Sequence, residues 1–124
     1  MNRKQRRFVR GASTPDFTPD DVLRTLANPV YAGIGPFSPI VAESQWVACW
    51  VLSAHERPIS ELLAIAWENV NYSFGEHPNM PARAGWIEAQ SARMVGDDES
   101  IRLATWAMLS DLRRTLGGSP QAEA

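Results

Sequence analysis

The chain has 124 residues, of which 44% are hydrophobic and 21% are charged. This composition is typical of one globular domain with its own core and excludes a wholly disordered chain. A single cysteine, Cys49, excludes an internal disulfide and fits a reducing compartment, so we expect a cytoplasmic protein. No segment reaches the ~18 consecutive apolar residues of a membrane span, and we expect no membrane partner.

The charge is distributed unevenly along the chain. Residues 1–10 contain no acid, and they hold five basic residues: Arg3, Lys4, Arg6, Arg7 and Arg10. The other 7 basic residues accompany all 14 acidic ones. Because phosphate contacts need clustered lysine and arginine, nucleic acid could be bound only through the N-terminal tail. We expect residues 1–17 to be a flexible, disordered basic tail and linker, which in the simplest interpretation is only a solvated leader.

The first predicted element is a short helix that begins at Thr18. Threonine is a favoured N-cap, Pro19 suits the first helical position, and Asp20 lies at the positive end of the helix dipole. The helix must end near Asn28, because a residue before proline disfavours helical geometry.

The stretch LANPVYAGIGPF, residues 26–37, is both stiff and apolar. Asparagine, proline and glycine supply the turn chemistry, and the structural-loop residues we assign are Asn28, Pro29, Tyr31, Gly33, Gly35 and Pro36. Tyr31, Ile34 and Phe37 are expected to pin the stretch across a helical core. Since the stretch has no lysine or arginine, we interpret it as a packed joint rather than a phosphate-binding loop.

Four further helices are predicted from apolar periodicity. The second runs from residue 41 or 42 to about 56 and is so apolar that we expect it to be central and buried. The third spans 58–72 with Gly75 as its stop, and the fourth spans 84–95. Asp97 or Asp98 should cap the fifth, which ends at Gly117. The chain therefore predicts an all-α bundle of about five helices over residues 18–117, with a frayed end at 118–124.

No group of residues predicts a metal site, a cofactor or catalysis. Cys49, His55 and His77 lack the local pairing of zinc ligands, and no nucleophile motif accompanies either histidine. The acidic run Asp97–Glu99 is best explained as capping of the following helix. We expect no metal and no cofactor, and we expect that the protein is not an enzyme.

Five tryptophans are many for this length. Most should pack in the core, but a small bundle has little room for five indoles, and tryptophan is enriched at binding hot spots. We expect at least one to be exposed or at an interface. The partner-binding candidates we assign are Trp46, Trp86, Trp106, Phe37 and Phe74.

Two resemblances rest on the same stretch. Leu26, Asn28-Pro29, Tyr31 and Gly33, followed by Pro39-Ile40-Val41, resemble the recombinase domain of large serine recombinases over about 25 residues. The basic hairpin that this family places between the two motifs is missing here, so recombination activity is not expected. The motif NPVYAGIGPF-x-PIV, together with residues 92–99 and 103–112, also resembles short bacterial helical proteins of unknown function. That second resemblance implies a small helical protein.

Two hypotheses follow for function. The first is a non-enzymatic helical protein that binds another protein, as an accessory subunit of a larger bacterial assembly. The alternative is a nucleic-acid-associated accessory protein that contacts phosphates through its basic tail, with affinity that falls steeply with salt.

Overall fold

The computed structural model of the chain describes residues 26–117. In this range the elements are a 3-10 helix, Pro29–Ala32, and the α-helices α1, Glu43–Ala54; α2, Ile59–Phe74; α3, Arg83–Arg93; and α4, Asp98–Leu116. No strand occurs between residues 26 and 117, so the all-α class is confirmed for this part of the chain. The expected helix from Thr18 (apart from the helical Leu26), the tail of residues 1–17 and the end at 118–124 lie outside the described residues.

The helix ends follow local sequence chemistry. The Asp97 carboxylate caps α4 by accepting a hydrogen bond from the Ser100 N–H at 2.9 Å, as expected. Gly75 follows α2 with a φ of 68°, a left-handed value that favours glycine. The helix extends two residues beyond its expected end, because Phe74 continues the apolar spacing set by Val70.

The expectation of a central, well-buried α1 holds for one face of the helix only. Trp46, Val47 and Trp50 are buried, but Ala48 and Leu52 are exposed to solvent. The reason is the position of α1 at the edge of the bundle, where it packs mainly against α4 and the 3-10 helix. One face is therefore left open, even though it is apolar.

The four α-helices form a ring in which the 3-10 helix fills one place. α1 packs against α4, α4 against α3, and α3 most extensively against α2. The 3-10 helix contacts both α1 and α2, which touch each other only slightly. The centre of the core consists of Ile34, Val47, Trp50, Leu62, Leu63, Met108, Leu109 and Leu112. Within residues 26–117, no helix combines the length and apolarity needed to cross a membrane.

Candidate functional site

The joint segment, residues 26–41, is built on the 3-10 helix. The Oδ1 atom of Asn28 accepts a hydrogen bond from the Val30 N–H at 3.1 Å. Pro29 occupies the first helical position, where a backbone N–H has no acceptor within the helix, so its lack of an N–H costs no hydrogen bond. Gly33 ends the helix with a φ of 91°. The indole Nε1–H of Trp46 donates to the Asn28 carbonyl at 3.0 Å and so ties the segment to α1.

A buried ion pair fixes the joint segment to the bundle. The guanidinium of Arg113 on α4 donates to the carbonyls of Gly33 at 3.1 Å and Ala32 at 3.2 Å. It also donates to the carboxylate of Glu43, the first residue of α1. Both charged side chains are more than nine-tenths buried. One arginine therefore holds three separate parts of the chain together.

At Gly35 the joint segment packs against the C-terminal ends of α2 and α4. Its N–H donates to the Gly117 carbonyl at 2.7 Å, just beyond α4. Its φ is 65°, and a Cβ at this position would lie 2.5 Å from Cζ of Phe74 at the end of α2. The Phe74 ring therefore occupies the space that only glycine leaves. Phe37 packs edge-on against it, with ring centroids 5.4 Å apart.

A surface groove of about 460 Å³ lies between the joint segment and the second half of α2. We call it the apolar groove, and its lining residues are Asn28, Val30, Tyr31, Phe37, Ser38, Ile40, Asn69, Tyr72 and Ser73. None of these side chains is charged. Three large apolar side chains around it are exposed, with solvent-accessible fractions of 40% for Phe37, 71% for Ile40 and 90% for Tyr72.

A second groove of about 300 Å³ lies on another part of α2, and we call it the Trp67 groove. It is lined by Trp67, Asn71, Glu76, His77 and the stretch 80–83. The Trp67 Nε1–H donates to the Pro81 carbonyl at 3.1 Å, which holds the ring in place. Both grooves draw their walls from α2 between residues 67 and 73, so this half of the helix lines two concave surfaces.

The structure divides the five partner-binding candidates. Trp46 and Trp86 are buried, and these two therefore cannot present their rings to a partner. Trp46 instead stacks on Trp50, because the two rings lie one helical turn apart on the buried face of α1. Trp106 and Phe74 are half-buried and pack against the core. Phe37 is the one candidate that is exposed.

None of the five tryptophans is fully exposed, since all lie in the buried or half-buried range, and whether one of them lies at an interface with a partner stays a prediction. The side chains that are exposed around the apolar groove are a phenylalanine, an isoleucine and a tyrosine. The tryptophans therefore lie in the core or pack against it, and none of them lines the apolar groove.

Each of the two histidines contacts a polar neighbour. His55 follows α1, and its Nε2 lies 2.9 Å from a carboxylate oxygen of Asp98 on the surface. The Nδ1 of His77 accepts a hydrogen bond from the Asn79 N–H at 3.1 Å. Cys49 is half-buried. Within residues 26–117 no three histidine, cysteine or acidic side chains come together in an arrangement that could hold a metal ion.

Every arginine between residues 26 and 117 lies beside a carboxylate. The pairs are Arg57–Glu61, Arg83–Glu68, Arg93–Asp111, Arg102–Glu99, Arg113–Glu43 and Arg114–Asp111. This range contains no lysine. Because each cation already has an anionic neighbour, the described surface has no cluster of cations of the kind that binds phosphates.

The acidic start of α4 is organised around the helix end. A backbone N–H from Ser100 lowers the pKa of Asp97. A hydrogen bond from Arg102 lowers the pKa of Glu99 and raises that of Arg102. These carboxylates therefore have local partners, which agrees with their expected capping role.

Comparisons with known proteins do not place the chain in a family. No family model matches the sequence, and neither a curated protein nor a solved structure matches it.

Sequence reasoning missed the residues that define the site. Neither Arg113 nor Glu43 was among the residues assigned from the sequence. A signal was present for the arginine, because Thr105, Leu109 and Arg113 repeat every four residues and all are buried. Tyr72 had no such signal, since its exposure depends on how α2 packs against its neighbours.

Proposed function

We propose that the chain is a non-enzymatic helical module that binds a partner protein through the apolar groove, as an accessory subunit of a larger assembly. The observation that carries this proposal is the grouping of Phe37, Ile40 and Tyr72, three exposed apolar side chains, around one concave surface. Isolated exposed apolar residues are common, whereas a group around a groove is typical of a protein-binding site. Tyrosine is enriched among residues that dominate binding energy.

The groove favours a partner segment with a large apolar side chain next to a basic one. The uncharged walls suit an aromatic or aliphatic side chain. The Glu76 carboxylate in the Trp67 groove, two residues beyond Phe74, has no cationic partner among residues 26–117, whereas Arg83 there is paired with Glu68. A basic side chain of the partner would complement Glu76. The acidic balance of the chain outside its first ten residues favours a basic partner as well.

Photocrosslinking tests this proposal in the full chain. A photoreactive p-benzoylphenylalanine replaces Tyr72, and a control chain carries it at Leu103, an exposed residue of α4. In extract from the source cells, we expect a discrete adduct from position 72 and none from position 103. The crosslinked peptide should contain a large apolar residue beside a basic one. Equal capture at both positions would contradict the proposal, and so would the absence of an adduct from position 72 in both the full chain and its Phe8→Ser variant.

A second candidate function is nucleic-acid binding through the tail. What favours it is that the five basic residues among residues 3–10 have no acid near them in sequence, while the arginines of residues 26–117 are all paired. Five phosphate contacts to duplex DNA give a slope of log K against log salt of about −4 to −5. The test compares the full chain with one in which those five residues are glutamine. Equal affinity, or a flat salt dependence, would contradict this function.

A further inference from the structure

We propose that the apolar groove binds the chain's own basic tail, at Arg6–Arg10, and that a partner must displace it. This inference rests on the proposed function, because it names what competes for the same groove. The segment reads RRFVR and places Phe8 and Val9 between arginines. It therefore has the chemistry that the groove favours: large apolar side chains with basic neighbours.

Part of the groove wall is close in sequence to the basic tail, which favours a contact within one chain. Asn28 and Val30, which lie just inside the start of the described range, form part of its wall. The tether between Arg10 and Asn28 is 17 residues long. Residues 18–27 of this tether belong to the expected helix, which is about 15 Å long, and the seven residues before it span about 13–16 Å as a flexible linker, so the tail can turn back to the groove. Such a tether holds a segment near its site at a local concentration in the millimolar range.

Charge complementarity supports the same occupant. Residues 1–10 carry five basic residues and no acid, whereas residues 26–117 carry more carboxylates than guanidiniums. The arginines of the described range are already paired, so they do not compete for Glu76 in the Trp67 groove. Glu76 lies two residues beyond Phe74, whose ring contacts Phe37 of the apolar groove, and we expect an arginine that flanks Phe8 to reach this carboxylate around the end of α2. The apolar residues Phe8 and Val9 thus match the apolar groove, and the basic residues that flank them match the Glu76 carboxylate.

The competition gives the tail a role in regulation. A weak contact at millimolar local concentration keeps the groove occupied until a partner binds more tightly. A ligand that binds the arginines of the tail would free the groove as well. Access to the groove is therefore expected to depend on what the tail is bound to.

Paramagnetic NMR on the full chain tests the contact. Cys49→Ala removes the native thiol, and Gln5→Cys carries a nitroxide label beside Arg6. We expect the amide signals of Ile40 and Tyr72 to lose at least half their intensity, while that of Leu103 on α4 is retained. Unchanged signals at Ile40 and Tyr72, or equal loss at all three positions, would overturn the proposal.

Two variants of the labelled chain test which residues make the contact. Phe8→Ser should restore the groove signals, and Phe17→Ser, a matched change within the tether, should leave the loss in place. Glu76→Gln should reduce the loss. If Phe8→Ser has no effect, the aromatic anchor is wrong and the proposal fails.

Mixing separates contact within one chain from contact between two. A nitroxide-labelled chain without ¹⁵N is added to a ¹⁵N chain without the label. We expect no loss at Tyr72 in this mixture, and a loss as specific as that in the chain that carries both labels would assign the groove to a second copy and overturn the proposal.

The crosslinking experiment then distinguishes this inference from the proposed function. If the tail does not dock but position 72 still captures a partner selectively, only the tail contact is wrong. If position 72 captures no partner even in the Phe8→Ser chain, where the groove is open, the proposed function fails. When both proposals hold, Phe8→Ser should raise the yield of the adduct several-fold.

Discussion

Replacing Arg113 with methionine is expected to destabilise the protein more than any other exchange of an arginine between residues 26 and 117. The change keeps an unbranched apolar side chain of similar length but removes the hydrogen bonds to Gly33, Ala32 and Glu43. The Glu43 carboxylate then stays buried without this guanidinium. Removing one partner of a buried ion pair typically costs about 3–5 kcal/mol. A domain of this kind has a free energy of unfolding of about 5–15 kcal/mol, so the loss is a large fraction of the total stability.

Urea denaturation followed by tryptophan fluorescence measures this loss, because Trp46 and Trp50 lie on α1 directly after Glu43. Arg114→Met is the matched control: it removes the adjacent arginine, which is exposed and paired with Asp111 at the surface. Exposed pairs contribute about 1 kcal/mol or less. The midpoint should therefore fall strongly for Arg113→Met and only slightly for Arg114→Met.

A double variant tests the physical reason. Glu43→Leu combined with Arg113→Met removes both buried charges and should recover a large part of the loss seen for Arg113→Met alone. A loss below about 1 kcal/mol for Arg113→Met, or a double variant that is no more stable than that single one, would refute the role assigned to the ion pair.

Two further predictions concern Gly35 in the joint segment and Asp111 on α4. Gly35→Ala should lower the free energy of unfolding by about 2–5 kcal/mol, through strain at positive φ and overlap with the Phe74 ring, and a Phe74→Leu background should recover part of it; equal losses in both backgrounds would exclude the overlap. Burial raises the pKa of Asp111, but hydrogen bonds from Arg93 and Arg114 outweigh this and leave it below its usual value. Asp111 therefore stabilises the fold above pH ~4, and this contribution is lost as the pH falls through the lowered pKa. The melting temperatures of the wild type and Asp111→Asn should converge below that pH, and a constant gap would contradict this reasoning.

Much of the secondary structure could be predicted from the sequence, because local signals set the helix ends. The Asp97 cap, the Gly75 stop and the turn at Asn28-Pro29 each depend on a few neighbouring residues. The candidate site could not be predicted in the same way. Phe37 was identified, but Ile40 and Tyr72 were missed, and Trp46 and Trp86 proved to be core residues. Exposure of an apolar side chain depends on which helix covers it, and no local pattern contains that information.

The sequence by itself determined the all-α class of residues 26–117, the position of the joint segment and the basic, acid-free composition of residues 1–10. These properties follow from composition, spacing and the restricted backbone geometry of proline and glycine. Only the tertiary structure decided that α1 lies at the edge of the bundle and that Arg113 reaches Glu43 across 70 residues. It also decided that the second half of α2 borders an open apolar groove. Such contacts join residues that are distant in sequence, so they exist only once the helices have packed.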